Sequence, residues 1–369
     1  MKTIKFQNLK IQSKTYKNLI LNNISKVLDS GDLFLGDEVK KFEKFTSQFI
    51  QVKYALGVSS GSSALYLALR SLDIGPGDEV ITTPLTWIIT ANAIASVGAT
   101  PVFIDTSDDF NINSDLIERA INKKTKAILP MHYAGHMCKM NHIKNIAKNY
   151  NLFLIEDAAQ AFGASLNGRM AGSFSNVAAF SMNPMKVLNG FGENGLVTTN
   201  SFRLHNKIKM LRHAGTKSDY RKKKISNDCY HVSLNHKMDS INATALNISF
   251  SNFKKKKKKL NNIAKYYDEN INNKIIKQKL LKGEVHGRYA YPILIVKNRA
   301  DFIHYLQKKG IDSRVFHQPL ASNSPVFKKL KNFTPVADYL SKQSLVIPFN
   351  ESLKNSEVTY IVKTINKFF

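Results

Sequence analysis

The stretch ALGVSSGSSALYLALRSLDIGPGDEVITTP, residues 55–84, reads as strand, small-residue turn, helix, turn and strand. Ala55 to Val58 and Glu79 to Thr82 are short apolar runs of strand length. Between them Ala64, Leu65, Ala68, Leu69 and Leu72 recur at helical spacing and form one apolar stripe. The sequence GPGD, Gly75 to Asp78, stops that helix and turns the chain. A strand, a helical crossover and a second strand make a parallel pair with a helix packed on its face.

The same alternation continues outward over about residues 52–200. Further strand candidates are Thr100 to Ile104, Ala127 to Met131, Leu152 to Ile155, Val177 to Phe180 and Leu196 to Thr198. The expected fold class is therefore α/β, a mainly parallel seven-stranded sheet flanked by helices. After about residue 240 the pattern changes to a long Lys-rich helix, then to mixed strand and helix around YAYPILIV and FIHYLQKKGI. This predicts a smaller C-terminal α+β domain. The expected division is 1–248 and 249–369, with the N-terminal segment placed against the small domain.

Composition narrows the class. Hydrophobic residues at 43% and charged residues at 22% are ordinary for a globular chain of 369 residues. No window supplies the roughly 18 consecutive apolar residues of a membrane span, and the start, MKTIKFQNLKIQSKTYKN, has no apolar core of a secretory signal. A cytoplasmic protein is expected, with no membrane partner. Cys138 and Cys229 have no paired spacing, so reduced thiols and no metal site are expected. The net charge of +27 raises nucleic-acid binding, but the lysines are scattered among asparagines and nucleic acid is an unlikely partner. The one dense run, Lys254 to Lys259, precedes Leu260, Ile263, Tyr266 and Tyr267 at helical spacing, which predicts a solvated helix face.

Four separated pieces carry chemistry. GVSSGSSAL ends a strand in a Gly/Ser turn that opens a helix, where backbone N–H groups and hydroxyls suit a phosphate. In LIEDAAQAFG a strand runs into Glu156 and Asp157, with Gln160 three residues beyond Asp157; a strand-end carboxylate there could hold a protonated ring nitrogen or simply cap a helix. In FSMNPMKVLNGFGENG, Ser181 ends a strand and Lys186 follows in a glycine-rich loop. A phosphate turn, then a strand-end Asp, then Ser and Lys, is the order a pyridoxal phosphate enzyme needs, the lysine as Schiff base and the acid against the pyridinium. The sole tryptophan, Trp87, follows the strand Glu79 to Thr82, where its ring could stack on a flat cofactor or fill core under a loop.

With SSGSSALYLALRSL, TPLTWIITANAI, PVFIDT, IEDAAQAFGA, GSFSNVAAFSMNPMK, GENGLVTTN and LNHKMDSINATAL in this order, the chain resembles the DegT/DnrJ/EryC1/StrS family of sugar aminotransferases over nearly its whole length. The resemblance implies a fold type I enzyme with pyridoxal 5'-phosphate as cofactor. It implies amino transfer from glutamate to a keto group of a nucleotide-linked sugar, by ping-pong transamination, in a homodimer, with a role in surface polysaccharide biosynthesis. It makes Lys186 the Schiff-base lysine and Asp157 the pyridinium partner. Gln160 is matched to the cofactor's phenolic oxygen and Trp87 to its ring. Gly61, Ser62 and Ser181 match the phosphate positions, and Asn235 the residue that reaches the partner subunit's phosphate. His317, in RVFHQPL, falls near the substrate loop. Arg212, in LRHAG, is a candidate cation at the mouth for an anionic substrate.

The spacing from Lys186 to Glu193, with Phe191 as an extra residue, and Asp239 resemble a branch that includes 3-aminotransferases, while GIDSRVFHQPL resembles enzymes acting at C4. Amination at C3 and at C4 both stay open. Relatives include dehydratases that replace the lysine with histidine or add a cysteine-held iron–sulfur cluster; Lys186 and a count of two cysteines disfavour both. A regulatory or nucleic-acid-binding protein that keeps the fold would have no need of Lys186, Asp157, Gln160 and Ser181 together.

Overall fold

Apolar runs buried on both faces dictate the centre of the molecule. The computed structural model describes residues 3–10, 14–217, 226–296, 298–330 and 332–369. Helices α1 (Lys14–Ser30) and α2 (Asp37–Ile50) lead into β1 (Tyr54–Val58). Then α3 (Gly61–Ser71), β2 (Glu79–Thr82), α4 (Ile89–Ser96), β3 (Thr100–Phe103), α5 (Ile117–Ala120), β4 (Thr125–Ile128), α6 (Met140–Asn149) and β5 (Phe153–Asp157) follow in alternation. Short strands β6 (Ser165–Leu166) and β7 (Arg169–Met170) precede β8 (Val177–Ser181), β9 (Gly195–Thr199) and α7 (Phe202–Arg212).

The main sheet has seven strands in the order β1-β9-β8-β5-β4-β2-β3. The neighbours from β3 to β8 are parallel. By contrast β9 runs antiparallel to both β8 and β1. The cause is its connection: residues 182–194 contain no helix, so the chain returns beside β8 without a crossover. That returning loop carries Lys186. On α3 the expected stripe of Ala64, Leu65, Ala68, Leu69 and Leu72 is buried, together with Leu67. Truncating a buried leucine such as Leu67 costs about 2–5 kcal/mol. The GPGD turn closes as read: the Asp78 N–H donates to the Gly75 carbonyl at 3.1 Å.

After β9 and α7 come α8 (Ser240–Asn270), β10 (Ile276–Lys277), β11 (Glu284–Val285), β12 (Tyr291–Leu294), α9 (Arg299–Lys308), α10 (Pro335–Gln343), β13 (Ser344–Ile347) and α11 (Asn355–Phe368). A second, antiparallel sheet has the order β10-β12-β13. Phe302, Leu306, Ile361 and Ile365 pack with Ile293 and Leu345 in the same core cluster as Ile81 and Leu154 of the large sheet. Backbone pairing is among the contacts that tie the N- and C-terminal parts together. Strand β11 pairs with β6, and the Ile4 N–H donates to the Gly310 carbonyl at 2.8 Å. The expected boundary at 248/249 falls inside the continuous helix α8.

Helix α8 is capped by Asp239, whose Oδ1 accepts from the Asn242 N–H at 2.6 Å. Its lysine run is not solvated throughout. Lys257 turns inward, its Nζ donating to the Gly163 and Gly287 carbonyls at 2.9 and 3.2 Å, and burial lowers its pKa to about 7. Among the described residues no helix is long and apolar enough to cross a membrane, and no group of His, Cys, Asp and Glu could hold a metal ion.

Candidate active site

Three strand ends meet at one edge of the large sheet. Gly195 opens β9 and is paired with Val58 at the end of β1 and with Ser181 at the end of β8. Helix α3 starts directly above this junction. A Cβ on Gly195 would lie 2.1 Å from the Ser60 carbonyl oxygen, and one on Gly61 would lie 2.6 Å from Ser181 Cβ. Both positions therefore require glycine for the helix to sit on the strands. Ser60 caps α3 by accepting from the Ser63 N–H at 3.0 Å. The N–H groups of Gly61 and Ser62 have no partner inside the helix, as at any helix start. Together with the Ser181 hydroxyl beside Gly61, they form an anion cradle at the positive end of the helix dipole.

Asp157 ends β5, which lies next to β8. Its side chain is buried, with Oδ2 accepting from the Thr90 hydroxyl at 2.8 Å and Oδ1 from the Ala159 N–H at 3.1 Å. Burial pushes its carboxyl above the usual range, while the Thr90 and Ala159 hydrogen bonds and the Lys186 charge act in the opposite direction. A cation against the remaining carboxylate face would offset that burial. Thr90 was not read from the sequence. The available signal is its place three residues after Trp87, in the first turn of α4, where its N–H donates to the Trp87 carbonyl at 3.0 Å. Trp87 itself is 62% exposed, so it is not core, and its carbonyl is tied to Thr90, the residue whose hydroxyl holds Asp157.

Glu156 points to the other side of β5, as strand alternation requires. It accepts from Gly172 N–H at 2.8 Å, Phe174 N–H at 2.9 Å and the Ser175 hydroxyl at 2.8 Å, and faces His132 Nε2 at 3.2 Å. Burial would raise its pKa, yet these donors, His132 foremost, hold it below the usual range. Because His132 Nδ1 accepts from the Cys138 N–H at 3.2 Å, the imidazole proton sits on Nε2 and is donated to Glu156. The pair braces β5 from behind.

Gln160 has its amide orientation fixed by chemistry. The Ala134 N–H donates to Oε1 at 2.7 Å, so the NH₂ group is left as the outward donor. That NH₂ lies 3.4 Å from His317 Nε2. His317 must then present a lone pair there and carry its proton on Nδ1, which is buried with no hydrogen-bond partner. Burial, followed by the Lys186 charge, lowers the His317 pKa to about 3, so the ring is a neutral acceptor toward Gln160. Lys186, on the loop between β8 and β9, is near enough for its charge to act on both Asp157 and His317. Its Nζ stands 4.5 Å above the Tyr289 ring.

Two sequence candidates lie apart from this cluster. Asn235 is exposed, its Oδ1 accepting from the Lys237 N–H at 3.3 Å, on a segment whose next residue, His236, accepts from the Ser59 N–H at 2.9 Å. Arg212 is a correction. It is not at a mouth but 5% exposed in the last turn of α7, with Nη1 donating to Glu43 Oε1 at 2.6 Å and to the Gly57 carbonyl at 2.9 Å. The side chain locks α7 to the edge strand β1 and to α2, because a buried guanidinium needs a carboxylate and a carbonyl to replace water.

The arrangement fits pyridoxal phosphate: an anion cradle, a buried carboxylate, an exposed flat ring, a fixed amide donor and a lysine amine on one sheet edge. Comparison with known proteins agrees. The chain is 33% identical over 372 residues to the "Pleiotropic regulatory protein" of Geobacillus stearothermophilus, covering 98% of this chain and 97% of that one. It is 32% identical over 367 residues to the dTDP-3-amino-3,6-dideoxy-alpha-D-galactopyranose transaminase of Aneurinibacillus thermoaerophilus, with 99% of each covered. The fold superposes on DesV of S. venezuelae, solved in complex with a ketimine intermediate, with a TM-score of 0.94 at 29% identity, over 100% of this chain and 99% of that one. The profile of the DegT/DnrJ/EryC1/StrS aminotransferase family matches residues 14–366. The chain belongs to the DegT/DnrJ/EryC1/StrS aminotransferase family.

Proposed function

We propose that this enzyme, a pyridoxal phosphate-dependent aminotransferase, moves an amino group from glutamate to a keto carbon, C3 or C4, of a nucleotide-linked sugar in two half-reactions. The observation that carries this is the position of Lys186 on the loop joining Ser181 of β8 to Gly195 of β9, with Asp157 on the neighbouring strand β5. When bound, the cofactor supplies an aldehyde that takes up amines covalently and a protonated ring that accepts an electron pair. Lys186 Nζ would hold the aldehyde end and, once displaced, would carry the proton from the carbon bearing the donor's amine to the cofactor's C4′ carbon. Asp157 keeps the proton on the ring nitrogen, its own orientation set by Thr90 and Ala159. Gly61, Ser62 and Ser181 would hold the phosphate, Gln160 would donate to the phenolic oxygen and Trp87 would cover the ring.

A second copy of the chain is proposed to complete the site through Asn235. Supporting this, Asn235 lies on a segment with Tyr230, Val232 and Leu234 exposed, Val232 by 81%, and next to the exposed Phe34, which is bridged to Asp239. The product, an amino sugar on a nucleotide carrier, suits polysaccharide assembly. The test is to incubate the cofactor-loaded enzyme with glutamate and a panel of nucleotide-linked 3-keto and 4-keto sugars, reading mass and ring position of the product by NMR. An aminated sugar is expected. No product from any sugar, with the glutamate half-reaction intact, would contradict the substrate assignment.

A further inference from the structure

We infer that the face of α8 bearing the lysine run is the diphosphate-binding wall of the substrate site. The inference rests on the nucleotide-sugar reading above and assigns a part of the substrate to residues of this chain. A cavity of about 840 Å³ is lined by Lys186 and Tyr289 on one hand and by α8 on the other. Its volume is in the range that small-molecule sites occupy. From α8 it takes Ser249, Asn252, Lys255, Lys256, Lys259 and Asn262, which recur at three- and four-residue spacing and so share one face of the helix. Phe253, Ile263 and Tyr267 of the same helix are buried in the core, and the buried Leu260 lines the cavity together with the lysines.

The charge in the cavity is one-sided. Lys10, Lys258 and Arg288 also line it, whereas the lone carboxylate among its lining residues is Glu351. Glu351 is already engaged, with Oε1 at 3.0 Å from Lys256 Nζ. Lys256 further donates to Asn189 Oδ1 at 3.1 Å, which ties the wall to the loop carrying Lys186. Lys255 and Lys259 have no ion pair among the described residues. A concave, cation-lined space strengthens its attraction for an anion because low-dielectric walls focus the field. A convex lysine stripe in solvent would suit a polyanion such as DNA, but a cavity that reaches Lys186 suits a small anion attached to the reacting sugar. Phe191, 43% exposed, lines the same cavity and offers apolar surface to a nucleobase. One ligand spanning the cavity would therefore set its sugar at Lys186 and its diphosphate on Lys255 and Lys259.

The experiment uses cofactor-loaded enzyme, the double variant Lys255→Gln/Lys259→Gln, and Lys265→Gln, an exposed control on the same helix outside the cavity. Titration calorimetry with UDP, dTDP and GDP gives affinities at low and high salt; steady-state kinetics use whichever nucleotide-linked keto sugar is accepted. The double variant is expected to weaken the bound nucleoside diphosphate roughly 10-fold or more and to flatten its salt dependence. KM for the sugar should rise with kcat nearly unchanged. The glutamate half-reaction and the thermal melt should match wild type, as should every property of the control. Equal nucleoside diphosphate affinity in double variant and wild type would overturn the wall while leaving the function standing. Wild-type enzyme that binds none of the three and accepts no nucleotide-linked sugar would overturn both.

Discussion

His136 is buried between two carboxylates: Nδ1 lies 2.8 Å from Glu284 Oε2, and Nε2 faces Asp109 Oδ2 at 3.4 Å. Its ring stacks at 6.2 Å on buried His286, whose own pKa burial pushes well down, with Arg288 and Lys257 nearby adding positive charge. Burial alone would lower the His136 pKa, but the contacts to Asp109 and Glu284 outweigh it and raise it from 6.5 to about 9. The clip matters to the site because Glu284 also accepts from the Met137 N–H at 2.9 Å, fixing the turn whose Ala134 N–H orients Gln160. A raised pKa stabilises the fold fully below the unfolded value and progressively less as pH rises toward the folded one. At 1.36 kcal/mol per pH unit the contribution is about 3 kcal/mol below pH 6.5, about 2 kcal/mol near pH 7.5 and absent above about pH 9. The assay is urea unfolding of wild type and His136→Gln from pH 6 to pH 9.5. The gap between the two curves should narrow steadily across that window, and Gln160-dependent cofactor affinity should weaken in parallel in wild type. Curves that stay parallel would refute a protonated, doubly paired His136.

Three more outcomes follow from the geometry. Gly61→Ala forces a Cβ to within 2.6 Å of Ser181 Cβ, so α3 must lift off the strands; a loss of about 1–3 kcal/mol in stability and a marked drop in cofactor affinity by fluorescence titration are expected. Arg212→Met leaves Glu43 and the Gly57 carbonyl without their donor and should cost about 3–5 kcal/mol in urea unfolding, with the KM for the nucleotide sugar unchanged in the folded fraction. Asp157→Asn keeps the Thr90 and Ala159 contacts available but removes the charge, so the enzyme should still bind cofactor while single-turnover reaction with glutamate slows about 100-fold or more.

The large sheet was legible because its strands are buried on both faces and separated by helix-period segments, so that Ala55 to Val58 and Glu79 to Thr82 announce themselves locally. The reversed direction of β9 was not, since it depends on residues 182–194 making no crossover helix. Asp157, Gln160 and Lys186 were legible as types in an order; that Gln160 offers its NH₂ outward was not, because the Ala134 N–H that decides it is brought in by tertiary folding. Arg212 shows the limit most plainly. A cation in the last turn of a helix looks solvent-facing until Glu43, far away in sequence, is seen beside it. The lysine run failed in the same way: one residue faces the Gly163 carbonyl, others face a cavity, and only the fold separates them.

The central claim is that Lys186 is the residue that bonds to the cofactor. Borohydride reduction of the purified, cofactor-loaded protein, followed by peptide mass mapping, tests it directly. A single pyridoxyl mass increment on the peptide containing Lys186, absent in Lys186→Ala, is the result expected. An increment on another lysine of the folded wild-type protein, or none on protein shown to hold the cofactor, would contradict the account.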